Sequence, residues 1–358
     1  MRMPTAPWRA RVERALLAFW DERRRDLPWR SDTDAYRVWV SEIMLQQTRV
    51  EIVIPYYERW MARFPTLASL AAAPLDDVLL AWQGLGYYSR SRNLHLAARE
   101  VMEERNGRLP RDAASLREIP GIGDYTAGAI ASIAFGRAEP ALDGNVRRVL
   151  ARLLDVADPP QRRLREVAAA LVSRRRPGDF NQALMELGAT ICTPRAPACP
   201  ACPLRRLCLA ARYGTQHERP AKRPARAVPE YDVGSAILIT ATGRMLLVRR
   251  PPKGLLAGLW EFPGAIARPG ESPRRAAARA ARAAGANVDG RTARPLGHVP
   301  HRFTHRKETY HAYRFHLRHS RPTPPRSDQI WAHPSELHTL PLPTAQRTIA
   351  TLLTTHQE

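Results

Sequence analysis

LREIPGIGDYTAGAI (residues 116–130), read together with LDGNVR (residues 142–147), decides how the rest of the chain is organised. Pro120-Gly121-Ile122-Gly123 cannot continue a helix, because proline lacks an amide hydrogen and paired glycines favour a tight turn. Apolar residues at helical spacing flank the turn on both sides, so the pattern is a helix-hairpin-helix. Gly121 and Gly123 let backbone N–H groups approach a phosphate at the start of the second helix, a contact that ignores base sequence. Twenty residues beyond Gly123, Asp143 falls at the N-cap of a further helix, where free amides and the helix dipole favour a carboxylate. The pairing points to DNA held by the hairpin and chemistry done by the aspartate.

The charge agrees with a polyanionic partner. Against 34 Asp+Glu stand 56 Lys+Arg, a net charge of +22, which speaks for the partner and says nothing of the fold. Only Lys222, Lys253 and Lys307 are lysines, so nearly all the cationic charge is arginine. Part of it reflects an Arg-, Ala- and Pro-rich composition. The length of 358 residues suits two domains, each with its own core. No run of 18 apolar residues occurs and the N-terminal stretch has no apolar signal core, so a soluble cytoplasmic protein without membrane contact is expected. Structural disulfides are not expected of the four cysteines in that setting.

Upstream of the hairpin the periodicity is helical. Segments 10–26, 36–47, 52–64, 75–82 and 90–105 each carry an apolar stripe, and no convincing strand precedes residue 230. Glu42 is the only carboxylate of the second segment. Among apolar neighbours just before Gln46-Gln47-Thr48, it is either a buried acid with a raised pKa or a solvent-facing rim residue. The loop Gln83–Arg90, with Leu85 between its two glycines and Tyr87 just after them, offers an approach to DNA and an aromatic wedge, although a tyrosine pair is more often packing. After the hairpin, 146–154, 163–173 and 179–191 continue the helical pattern.

Cys192, Cys199, Cys202 and Cys208 then follow at C-x6-C-x2-C-x5-C spacing. Four thiols within 17 residues predict a metal site of zinc or an iron–sulfur cluster, and one C-x2-C knuckle with two lone cysteines favours [4Fe–4S]. Residues 213–230 turn to Arg, Pro and Lys and read as a linker. Beyond it, 233–240 and 245–250 read as a hairpin around Ala241–Arg244, 272–284 as an Ala/Arg helix, and 308–317 as a strand. The expected fold class is therefore multidomain: an all-α helix-hairpin-helix domain over 1–212 with its cysteine loop at 192–208, and an α+β domain over 231–358.

Taken together, SEIMLQQT (residues 41–48), the Pro-Gly-Ile-Gly hairpin, LDGN (142–145) and the cysteine spacing resemble the MutY adenine DNA glycosylases of the helix-hairpin-helix superfamily. The resemblance covers residues 8–212 strongly and 230–350 more loosely. It implies a base-excision repair enzyme that removes adenine opposite 8-oxoguanine or guanine in double-stranded DNA. Glu42 and Asp143 would be the catalytic carboxylates, with Tyr125 and Asn145 lining the site. Arg30, Gln47, Thr48, Leu85, Tyr87, Gly121 and Gly123 would contact DNA, Gln47 and Tyr87 as wedges. The resemblance also implies [4Fe–4S] on the four cysteines and a monomer working at a bacterial nucleoid. The second domain looks like the family's Nudix-like module, with Phe303-Thr304-His305 standing where the family has a Phe-Ser-His probe of the oxidised guanine. Residues 264–285 contain only Glu271 as a carboxylate, too few for the magnesium site of a Nudix hydrolase.

Two other functions fit parts of the pattern: an endonuclease III-like glycosylase for oxidised pyrimidines, and a non-catalytic iron–sulfur DNA-binding protein. The first uses a Schiff-base amine, yet residues 1–221 contain no lysine and Tyr125 stands where those relatives place theirs. The second leaves Glu42 and Asp143 without a purpose.

Overall fold

Caps and apolar stripes fix the helices of the first two-thirds of the chain, of which a computed structural model describes residues 3–221, with 227–315, 317 and 325–354 beyond. α1 (Ala6–Arg23) starts with a proline in its first turn and buries Val12, Leu16, Phe19 and Trp20 on one side. Each of those larger side chains contributes about 1.5–3 kcal/mol through its removal from water. Asp34 caps α2 (Ala35–Leu45) by accepting the Arg37 N–H at 2.9 Å. That helix is buried from Tyr36 to Met44 apart from Arg37, as expected of an element enclosed by its neighbours. α3 (Val50–Arg63), α4 (Leu67–Ala72), α5 (Leu75–Ala81) and α6 (Ser89–Glu104) follow.

The hairpin itself is α7 (Ala113–Leu116), the Pro120–Gly123 turn and α8 (Asp124–Ile133). Next come α9 (Gly144–Leu153), α10 (Gln161–Leu171), α11 (Pro177–Thr190) and α12 (Leu209–Tyr213). α1 packs on α10 and α11, α11 on α8 and α9, and α2 on α3 and α8. These contacts converge the ends of α2, α8, α9 and α11. No helix among the described residues is long and apolar enough to cross a membrane.

The chain divides into two units, residues 1–73 with 93–224 and residues 74–92 with 225–358. Two expectations are corrected here. Residues 74–92 belong with the second unit, and the predicted 213–230 linker is not free along its first part. Thr215 and Arg219 bond Asp155 at 2.5 and 2.8 Å, and the Ala221 N–H donates to the Ala157 carbonyl at 2.6 Å. Polar side chains, which carry no apolar periodicity, dock that stretch; residues 222–226 lie outside the described residues.

In the second unit the strands are β1 (Glu230–Leu238), β2 (Met245–Arg249), β3 (Trp260–Glu261) and β4 (Gly264–Ile266), then α13 (Pro273–Ala283), β5 (Arg294–Arg302), β6 (Lys307–Phe315), β7 (Gln329–Ala332) and α14 (Thr344–Thr354). They form a four-stranded sheet ordered β4-β1-β6-β5, with β1 and β6 parallel, and a three-stranded sheet ordered β3-β2-β7. Val233 and Ile237 of β1 face a core shared with Met245, Leu247, Phe262 and Ile349, whereas Ala236 and Leu238 face the alanines of α13. The expected β1–β2 hairpin is another correction: the turn closes through Thr240 and Arg244, but the strands enter different sheets. Each already has partners on both edges, β4 and β6 for one, β3 and β7 for the other, so alternation alone could not reveal the pairing.

Candidate active site

Glu42 lies near the C-terminal end of α2, 5% exposed, so the buried of its two sequence readings holds. The hydroxyl of Tyr125, in the first turn of α8, donates to Glu42 Oε2 and also lies 3.6 Å from the Met185 sulfur of α11. Burial lifts the Glu42 carboxyl from its ordinary value to about 7. The Tyr125 hydrogen bond and the Arg30 charge work against that rise, and the Asp143 charge adds to it. Tyr125 is held well above the usual phenol value, first by burial and then by the Glu42 and Asp143 charges, so it remains a donor.

Asp143 occupies the N-cap of α9 as the sequence predicts. Its Oδ1 accepts the Val146 N–H at 2.6 Å and its Oδ2 accepts Asn145 Nδ2 at 2.9 Å. Burial raises its pKa, while these two donors and the Arg148 charge pull it back. The two carboxylates thus sit in opposed surroundings. Asp143 has two N–H donors for an anion, while Glu42 has a single hydroxyl in a desolvated setting. With like charges near each other, the shared proton belongs on Glu42.

The turn also has the predicted shape. Gly121 adopts φ +81°, and a Cβ there would meet Asn93 Cβ at 2.9 Å, so only glycine serves. Ile122 is buried and anchors the turn while Gly121 and Gly123 remain exposed. Gln47 is exposed at φ 58°, a left-handed conformation costing about 1–3 kcal/mol in a side chain that is not glycine, and such strain collects at working surfaces. Thr48 is part-buried, its hydroxyl turned to the Gln46 carbonyl.

Arg30 is not at the surface. Its guanidinium stacks 4.6 Å over Trp20, donates to the Arg25 carbonyl, and pairs with Glu186 at 2.9 Å. Glu186, 1% exposed, also takes a 2.6 Å bond from Arg25. Burial acts to raise the Glu186 pKa, but bonds from Arg25 and Arg30 outweigh it and hold it below the ordinary value. Sequence reading missed Glu186 and Met185; both lie on a helix whose apolar stripe hides them among packing residues.

It also missed Arg148 and Arg152. Arg148 Nη2 donates to Asn145 Oδ1 at 2.9 Å and to the Gly188 carbonyl at 2.7 Å, and its Nε donates to the Cys192 carbonyl at 2.8 Å. Buried Arg152 donates to the Cys192 and Thr193 carbonyls and to Cys192 Sγ at 3.3 Å. A Cβ on Gly188 would stand 2.6 Å from Asn145 Cβ, so glycine is what lets α11 close on the start of α9. Asn145, Arg148 and Arg152 recur at helical spacing on α9, but nothing in an arginine-rich sequence marks them out.

The four cysteines are free thiols, all half-buried, around two short turns at Cys199–Ala201 and Arg205–Leu207. Among the described residues no three or more His, Cys, Asp or Glu side chains form a preformed metal site. Burial pushes the Cys202 thiol up to about 11 and raises Cys208, with neighbouring cysteines adding to both. Donor type, mutual influence and the Arg152 contact to Cys192 nevertheless fit a thiolate-held group.

In the second unit, Phe303, Thr304 and His305 occupy the tip of the β5–β6 hairpin, closed by the Phe303 N–H to the Arg306 carbonyl at 2.8 Å. Phe303 is half-buried edge-on against His301, ring centroids 4.5 Å apart, while Thr304 and His305 are exposed. Tyr87 is exposed at φ 48°, and its hydroxyl meets the Thr304 hydroxyl at 2.6 Å. Leu85, at 6% exposure, packs its side chain inward, unlike the exposed Tyr87. Glu271 is tied to Arg279 at 2.8 Å, and that bond with the Arg268 N–H pulls it down to about 2, the behaviour of a structural carboxylate.

A hairpin for phosphate, two opposed carboxylates and a Nudix-like unit define a helix-hairpin-helix glycosylase of base-excision repair. The pattern of the HhH-GPD superfamily base excision DNA repair proteins matches residues 40–175, and that of the NUDIX domain matches residues 235–352. The human adenine DNA glycosylase is 40% identical over 94% of this chain and 72% of its own length, and the rat enzyme 41% over 84% and 69%. A solved thermostable thymine-DNA glycosylase superposes with a TM-score of 0.55 at 30% identity, over 58% of this chain and 98% of its own. The chain belongs to the MutY-type adenine DNA glycosylase family.

Proposed function

We propose that this enzyme flips adenine out of duplex DNA where it is mispaired with 8-oxoguanine or guanine and hydrolyses its N-glycosidic bond, acting as a monomer and leaving the strand intact. The observation that carries the reading is the buried carboxylate pair, one member raised to about 7 and the other supplied with two N–H donors. An adenine within the stack is out of reach, and extrusion costs about a few kcal/mol. Hairpin amides at Gly121 and Gly123 hold the backbone, and Gln47 and Tyr87 fill the space left behind.

Glu42, protonated at neutral pH, gives its proton to the adenine ring as the base departs. Tyr125 steadies the carboxylate that remains. The sugar passes through an oxocarbenium-like state, for which paired carboxylates suit the chemistry as in glycosidases. Asp143, kept ionised by Val146 and Asn145, faces that developing cation, and water completes the hydrolysis. Arg30, fixed by Glu186, lends a positive charge beside Glu42. Cys192, Cys199, Cys202 and Cys208 would hold a [4Fe–4S] cluster, which takes no part in bond cleavage and shapes a DNA-facing loop bearing Arg205 and Arg206.

Phe303, Thr304 and His305 read the base opposite the adenine. Threonine retains the hydroxyl of the family's serine, so the hydrogen bond is available. The test is an excision assay on duplexes that differ only in the mispair: adenine opposite 8-oxoguanine should react fastest and adenine opposite guanine more slowly. Release of oxidised pyrimidines in place of adenine, or no release at all, would contradict the proposal.

A further inference from the structure

The segment that carries Tyr87 interrupts the helical unit in sequence but packs with residues 225–358. Its anchors are specific. Arg249, on β2, forms an ion pair with Asp76 in the first turn of α5 and also donates Nε to the Gly258 carbonyl at 3.1 Å. Arg92, in the first turn of α6, donates Nη1 to the Ala257 carbonyl at 2.8 Å. One tie therefore lies on each side of the loop that presents Tyr87, and both end on β2 or the strand connection just after it.

Between those ties the Tyr87 hydroxyl meets Thr304 at the hairpin tip. A single exposed hydroxyl contact is weak when its partners must be ordered to make it, and strong only when both are held in place beforehand. Tyr87 is also kept in a left-handed backbone conformation, which persists only where the surroundings impose it.

We infer that Asp76, Arg92 and Arg249 are positioning residues that make the wedge loop and the reader hairpin one rigid body, so that the base met by the hairpin decides where Tyr87 enters the stack. This rests on the proposed reading of 8-oxoguanine by Phe303, Thr304 and His305. None of the three residues is among the partners of Glu42 and Asp143 described above. Their loss should therefore act on discrimination between mispairs and leave the chemical step alone.

The experiment measures single-turnover excision of adenine opposite 8-oxoguanine and opposite guanine with the full chain, for Asp76→Asn, Arg92→Gln and the conservative Arg249→Lys. Asp76→Asn and Arg92→Gln should each lower the ratio of the two rate constants about three- to fivefold, the scale of one partly exposed ion pair or of one hydrogen bond from a charged group. Excision opposite guanine should stay within about twofold of the parent. Arg249→Lys keeps the charge opposite Asp76 and should keep most of the ratio. Because the two tie-breaking variants alter different contacts, one that folds poorly leaves the other to decide. An unchanged ratio in a folded variant, or equal slowing on both duplexes, would overturn the inference. A parent enzyme indifferent to the two mispairs would instead defeat the reading on which it rests.

Discussion

Replacing Glu42 by glutamine should stabilise the helical unit at alkaline pH while removing the catalytic acid. Burial lifts the folded-state pKa of Glu42 from 4.5 to about 7, whereas the unfolded chain ionises at the ordinary value. A group raised in this way contributes stability that is complete below its unfolded pKa and is lost as pH rises through the folded one. The difference amounts to about 3 kcal/mol between about pH 4 and pH 8, paid by the parent protein and not by the glutamine variant. Glutamine keeps the shape and can still accept from Tyr125. Urea unfolding followed by tryptophan fluorescence checks this, since Trp39 and Trp60 are buried in the helical unit. The stability of the variant relative to the parent should rise by about 3 kcal/mol across that range. A difference that stays flat with pH would mean that Glu42 ionises at its ordinary value, and the account of it as an acid at neutral pH would fail.

The pH dependence of excision should follow the same carboxyl, falling about tenfold per pH unit above 7 as Glu42 loses its proton; a plateau through pH 9 in single-turnover rates would contradict that. Borohydride should trap little covalent adduct with DNA, because the helical unit offers no lysine over residues 1–221, and Tyr125→Lys should gain trapping since Tyr125 reaches Glu42 in the site. Purified protein should contain about four iron atoms per chain with broad absorption in the visible blue, whereas stoichiometric zinc without iron would rule out the cluster.

Much of this was legible from residues alone, for identifiable reasons. A proline-glycine turn and an aspartate before a helix are local signals, and the Gly121 conformation and the Asp143 cap both obey local rules. Glu42 was legible as a question, since a lone carboxylate among apolar neighbours is either buried for a purpose or on a rim; only packing from α8 and α11 answers it. The burial of Leu85 was not legible, because loop glycines suggest exposure, whereas its side chain turns into the core. The attachment of residues 74–92 to the second unit was invisible, because it depends on Arg249 finding Asp76 across 173 positions. Strand partners in the second unit were hidden for a similar reason: alternation tells which side of β1 is buried but not which neighbour supplies its hydrogen bonds.

The central claim is that Glu42 and Asp143 act as one catalytic unit, and the most direct measurement is single-turnover adenine release from a duplex containing adenine opposite 8-oxoguanine. Glu42→Gln and Asp143→Asn preserve shape but supply neither the proton nor the negative charge. Each should bind the duplex about as tightly as the parent and release almost no adenine. Near-parental release by either variant, with binding intact, would contradict the account and return that residue to a purely structural role.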